Sequence, residues 1–309
     1  MNVHRIFDLT LMLALLVTSG GAAGIGKPLG ANAQGRAYEY PDQVVRASFD
    51  FREGALGWEA GFADYSPSNG DLRLEVGLRP LPPELAVDGT GFYIQGVNRS
   101  DDLFMFLKRR LGPEEGVRPN QTYRVVFNLT FASNAPSDCI GVGGAPGESV
   151  YLKAGASPIE PISVLDEEEN HYRMNVDKGN QGIGGPAASV IGNIANGIPC
   201  DEVADLEHAL YVSLTRRHVH PLAITASADG ALWLLVGTDS GFESLTALYY
   251  QRVEVLLIPI SDDRSLATLE LPTPWSCNFD APTRPSTRDR ESQKGCCLRS
   301  PASPCARAW

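Results

Sequence analysis

The stretch TYRVVFNLTF, residues 122–131, decides the fold. Tyr123, Val125, Phe127, Leu129 and Phe131 alternate there with Thr122, Arg124, Val126, Asn128 and Thr130. Successive side chains of an extended chain point to opposite faces, so a period of two sets the apolar residues on one buried face of a strand. RPNQ (118–121) precedes the run as a turn that keeps Pro119 outside the ladder.

Similar runs extend in both directions: VVRASFDF (44–51), LRLEVGL (72–78), GFYIQGV (91–97), LFMFLKR (103–109), SVYLKAG (149–155) and HYRMNV (171–176). ASVIGNI (188–194), LAITASA (222–228), ALWLLVG (231–237) and ALYYQRVEVLLI (247–258) follow. LFMFLKR is apolar at successive positions, which predicts a strand covered on both faces, at a sheet centre or beneath a loop. Gly, Pro, Asn and Asp turns join the runs, and DEVADLEHALYVS (201–213) is the best short helical candidate. The pattern predicts an all-β protein: a single antiparallel β-sandwich of jelly-roll type with at most one or two short helices.

The two ends read differently from this body. His4 and Arg5 precede the apolar run LTLMLALLV (9–17) and the triplet Ala31-Asn32-Ala33, so residues 1–33 read as a cleaved export signal, too short in its apolar part to span a bilayer. Residues 259–309 lack apolar periodicity and are expected to be a disordered tail; its four cysteines fit no zinc spacing. That leaves 34–258 as the sandwich domain. The body holds 17 Lys and Arg against 30 Asp and Glu, a net of −13. Such a field repels phosphate backbones, so nucleic acid is not an expected partner, nor is stable membrane insertion. The body's two cysteines, Cys139 and Cys200, are expected to pair in an oxidising, secreted or periplasmic setting. Closing that loop of about 61 residues would stabilise by roughly 4 kcal/mol.

FDFREGALGWEAGFADY, GVNRSDDLFMFLKR, CIGVGGAPGESVYLKAGAS, RMNVDKGNQ, VIGNIANG and GALWLLVGTDSGFE together resemble a family of uncharacterised secreted bacterial β-sandwich proteins. The resemblance implies an extracytoplasmic globular protein and brings no catalytic residue with it. A looser, architectural likeness is to carbohydrate-binding modules and jelly-roll lyases; a fold does not imply a function.

For a site, the sequence offers RMNVDKGNQGIGG (173–185). Its glycines lead into a strand and not a helix, which excludes a phosphate cradle. Alternation sets Arg173, Asn175 and Asp177 on one side, with Lys178, Asn180 and Gln181 close behind. On a concave sheet face these would bind a glycan or another polar ligand, with Glu148 in the same groove and Trp58 as a stacking aromatic. The competing readings are a solvated face with a glycine turn, and a core tryptophan. Asp239 and Glu243 flank a turn that could offer oxygens to Ca²⁺, unless it is a simple hairpin. His218 and His220 could ligate a metal from one strand face or line a solvated edge. Adjacent Asp101 and Asp102 should point to opposite faces. No nucleophile elbow is present. The expected function is therefore a secreted, non-enzymatic binder of a glycan or polar ligand, with Ca²⁺ as a possible structural ion. The alternatives are a polysaccharide lyase or hydrolase using His171 and Arg173 as base and anion clamp, and a structural envelope protein.

Overall fold

The computed structural model describes residues 44–99 and 101–260. The export signal expected over 1–33 and nearly all of the tail expected over 259–309 lie outside these residues. The described chain is all-β. In order, its strands are β1 (Val45–Asp50), β2 (Glu59–Ala63), β3 (Glu75–Pro80), β4 (Thr90–Val97), β5 (Leu103–Leu111), β6 (Thr122–Ser133), β7 (Val150–Ser157) and β8 (Ser163–Asp166). Then come β9 (His171–Met174), β10 (Gly179–Asn180), β11 (Ile183–Gly184), β12 (Ser189–Asn193), β13 (Val212–Val219), β14 (Ile224–Thr225), β15 (Leu232–Ser240) and β16 (Leu245–Pro259). Every strand pair is antiparallel.

Seven strands form the first sheet, in the order β13-β6-β16-β4-β3, with β1 also on β16 and β14 on β6. Five form the second, β12-β7-β15-β5-β2. The decisive stretch behaves as its alternation requires. Tyr123, Val125, Phe127, Leu129 and Phe131 of β6 are buried in a core they share with Leu103, Met105 and Leu107 of β5 and Leu234 and Val236 of β15. Each such side chain contributes roughly 1.5–3 kcal/mol on leaving water.

β5 is covered on both faces, as its sequence predicts. Leu103, Met105 and Leu107 point into the main core, whereas Phe104 and Phe106 join a second cluster with Val176, Ala187, Ala188 and Leu235. That second cluster exists because the segment 174–188 lies across the outer side of the five-stranded sheet. Gly155 permits the close approach: a Cβ there would stand 2.2 Å from the Ala187 carbonyl oxygen.

The expected helix over 201–213 is not formed. Cys200–Glu202 and Leu206–His208 make single 3-10 turns, and the chain then enters β13. β13 carries VSLTRRHV, whose half-buried side is made of Val, Leu, Arg and His. On an edge strand the long polar stems cover the sheet, so the alternation does not show in hydrophobicity.

Candidate functional site

The glycine-rich segment 173–185 does not present one polar face. β9 ends at Met174, so alternation stops before Asn175 and Asp177. Arg173 is exposed and pairs with Glu169, with Asp166 3.9 Å away. Asn175 fastens the neighbouring chain, accepting from Ile162 N at 2.8 Å and donating to Glu160 O at 2.9 Å. Asp177 Oδ1 accepts from Gly179 N at 2.8 Å, a local turn. Asn180 is exposed on the β10–β11 hairpin, and His171 faces Asp166 across the β8–β9 hairpin. Glu148 accepts from Asp138 N, far along the chain from Asp177. Trp58 is 3 % exposed, edge-on to Phe49 and Phe51 in the core, and offers no free face for stacking. The groove expected from Arg173, Asn175, Asp177 and Glu148 is replaced by separate structural contacts, because the segment folds as hairpins and not as a continuing strand.

What that segment does is close over a buried charge cluster. Lys153, Lys178, Asp64 and Asp239 are all buried, and Asp239 is 0 % exposed. Lys153 Nζ donates to Asp239 Oδ2 at 2.7 Å and to the carbonyls of Lys178 and Ile183, both at 3.0 Å. All three ammonium protons are thereby used. Lys178 Nζ donates to Asp239 Oδ2 at 2.7 Å and Gly179 O at 3.1 Å, and stands 2.8 Å from Asp64 Oδ2. The backbone N–H of Gln181 adds a third donor to Asp239 Oδ2 at 2.9 Å, while its side chain holds Asp101 O. Asp239 is therefore not paired with Glu243, which is exposed at its turn. Its acidic neighbours are Asp64 and Asp102, whose oxygens lie within 4.8 Å of its own. The adjacent acids separate as expected, with Asp101 exposed and Asp102 turned toward the cluster.

Two ammoniums against three carboxylates leave one negative charge, and a proton on Asp102 balances it. Burial and the Asp239 charge push the Asp102 carboxyl from 3.8 up to about 8, and it hydrogen-bonds Asp239. For Asp239, burial acts upward but the Lys178 and Lys153 charges outweigh it and hold the group low. A carboxyl whose folded value is raised keeps a proton that the unfolded chain has already lost. Its stabilisation is complete below the unfolded value and is lost as pH rises through about 8. Folding stability is therefore expected to decline between about pH 4 and about pH 8, and Asp102→Asn, which donates the same bond without titrating, to flatten that decline. Urea midpoints across the range test this. An unaltered slope in the variant would remove Asp102 as its source.

His218 and His220 do converge, though not at a solvated edge. Ser189 Oγ on β12 lies 2.6 Å from His218 Nε2 and 2.9 Å from His220 Nδ1, and His220 Nε2 meets Pro186 O at 2.9 Å. Burial lowers the affinity of both imidazoles for a proton. The group fastens one edge of each sheet together.

An open cavity lies elsewhere, at an end of the seven-stranded sheet. β6 ends at Ser133, opposite Leu248 of β16 and Val212 of β13. β16 starts three residues earlier, so Leu245, Thr246 and Ala247 pair only with β4. The gap left on their other side is a cavity of about 270 Å³. Tyr93 and Gln95 of β4 line it with Thr246 and Ala247; Asn134, Ala135 and Pro136 stand at one wall and His208 and Tyr211 at another. Tyr249 backs two of these rings, 4.8 Å from Tyr93 and 5.1 Å from Tyr211. Tyr93 hydrogen-bonds Gln95, whose amide donates to Arg73 O at 3.0 Å. Arg79 lies 4.0 Å over the Tyr93 ring. Burial raises the Tyr93, Tyr211 and Tyr249 phenols, so they stay neutral donors and acceptors. The Thr246 hydroxyl is buried without a partner. A disulfide joins Cys139 to Cys200, and close to it in the chain Ser137 bridges Pro199.

The alternation of Tyr93 and Gln95 on one side of GFYIQGV was a legible signal for this site. Nothing in the sequence set Tyr211 or Asn134 beside them.

No family model and no curated protein matches the chain. Solved structures match at the level of architecture. Tailspike protein 4 of bacteriophage CBA120 is 9 % identical over 66 % of this chain, with a TM-score of 0.29, and the chain spans only 20 % of that domain. TmCBM27, a carbohydrate-binding module that recognises mannan, is 12 % identical over 69 % of this chain and 98 % of its own, with a TM-score of 0.29. The K3 cleaved adhesin domain of Lys-gingipain from Porphyromonas gingivalis W83 is 9 % identical over 69 % of this chain and 99 % of its own, with a TM-score of 0.30. At such identities each protein's ligand is its own.

Proposed function

We propose that this protein is an exported binder of a glycan or similar polar ligand, and that the cavity at the end of β6 is its binding site. The observation that carries the reading is the combination of neutral tyrosines, a fixed carboxamide and an unpartnered buried hydroxyl around one cavity of about 270 Å³. Ligand pockets join apolar and aromatic walls to a few fixed polar groups, and tyrosine supplies both in one side chain. The disulfide supports an oxidising compartment, and no helix among the described residues is long and apolar enough to cross a membrane. His171 and Arg173, the base and anion clamp of the enzymatic alternative, sit on the β8–β9 hairpin, which contributes no residue to the cavity lining.

A glycan array followed by calorimetry on the hits tests the proposal. Tyr211→Ala is expected to weaken binding by about tenfold or more, since it strips an aromatic wall without touching the core. Absence of any glycan hit, or undiminished affinity in the variant, would refute the assignment.

A further inference from the structure

We infer that the ligand carries a carboxylate and that Arg73 is the residue that receives it; this rests on the cavity being the ligand site. The body of the chain is strongly acidic, with a net of −13, yet the cavity lining contains no Asp or Glu. It does contain Arg73. The Arg73 side chain forms no ion pair among the described residues, and its neighbour Arg79 is taken by Glu75. Two carboxylates on the surrounding segments are engaged: Glu84 accepts from Tyr211 N at 3.0 Å, and Asp205 meets His208 Nδ1 at 2.5 Å.

The backbone of Arg73 is held on both sides. Its N–H donates to Asp71 Oδ1 at 3.0 Å, and its carbonyl accepts from the Gln95 amide at 3.0 Å. Its φ is 46°, in the left-handed region that costs a non-glycine residue energy unless its surroundings impose it. Its side chain is exposed and lines a cavity whose lining holds no acid, so the planar guanidinium fork is open to a bidentate partner. A carboxylate matches that fork in shape and charge. The chemical class is an acidic sugar of the uronate type, with the ring against Tyr211 and Tyr93 and the carboxylate on Arg73.

Calorimetry with trigalacturonate and its methyl ester separates this inference from the reading beneath it. The acid is expected to bind at least about tenfold more tightly than the ester. Arg73→Gln is expected to bring the two within about twofold, and Arg73→Lys, which keeps charge without the fork, to restore part of the preference. Equal binding of acid and ester by the wild-type protein would overturn the carboxylate assignment while leaving the cavity as a site. So would a preference that survives in a folded Arg73→Gln protein, its fold checked by thermal melting. If neither probe binds while neutral glycans do, the assignment also fails. If no glycan of either kind binds, it falls together with the site.

Discussion

Lys153→Met is expected to cost about 3–5 kcal/mol of folding stability, read as a lowered urea midpoint at constant slope. Asp239 is fully buried, and among the described residues Lys153 is one of two ammoniums on it. Removing that ammonium strands part of a charge in a place water does not reach and orphans the carbonyls of Lys178 and Ile183. The double variant Lys153→Met with Asp239→Leu is expected to recover much of the loss, because no buried carboxylate then lacks its partner. A single-variant loss below about 1 kcal/mol would mean that water or rearrangement reaches the cluster.

The second large effect is at the disulfide. Cys139→Ser with Cys200→Ser is expected to cost roughly 4 kcal/mol, the chain entropy released when a loop of 61 residues opens. The closure has a local consequence as well. It ties the strip around Ser137, which continues from the Asn134–Pro136 wall, to Pro199, ahead of the Leu206–Tyr211 wall. Ligand affinity should fall along with stability when the bridge is removed, even at a temperature where the variant is still folded. Binding that is unchanged by reduction of the folded protein would show that the walls hold without it.

How much of this could be read from the residues alone differs by element. β6 and β5 were legible because their partners need not be known: alternation or its absence shows how many faces are covered. β13 was missed because its covered side is built from Arg216 and His218, whose stems do the burying. Cys139 and Cys200 could be paired by counting. The expectation of one polar face over 173–185 did not hold, for an instructive reason. Polar residues crowded into 173–185 looked like a ligand face, yet Lys178 and Gln181 serve Asp239, a residue on another strand 58 or more positions away. Polar density in a sequence does not distinguish a side chain that meets a ligand from one that neutralises a buried charge.

By itself, the sequence determined which side of each regular strand turns inward, since a two-residue period follows from bond geometry and needs no neighbour. It also determined the acidity of the surface and the one cysteine pair of the body. Only the tertiary structure decided where β6 stops relative to β16, and that offset opens the cavity and sets Arg73, Tyr93, Tyr211 and Thr246 around it. Strand ends are set by how sheets register against one another, a property of many residues at once that no local stretch encodes.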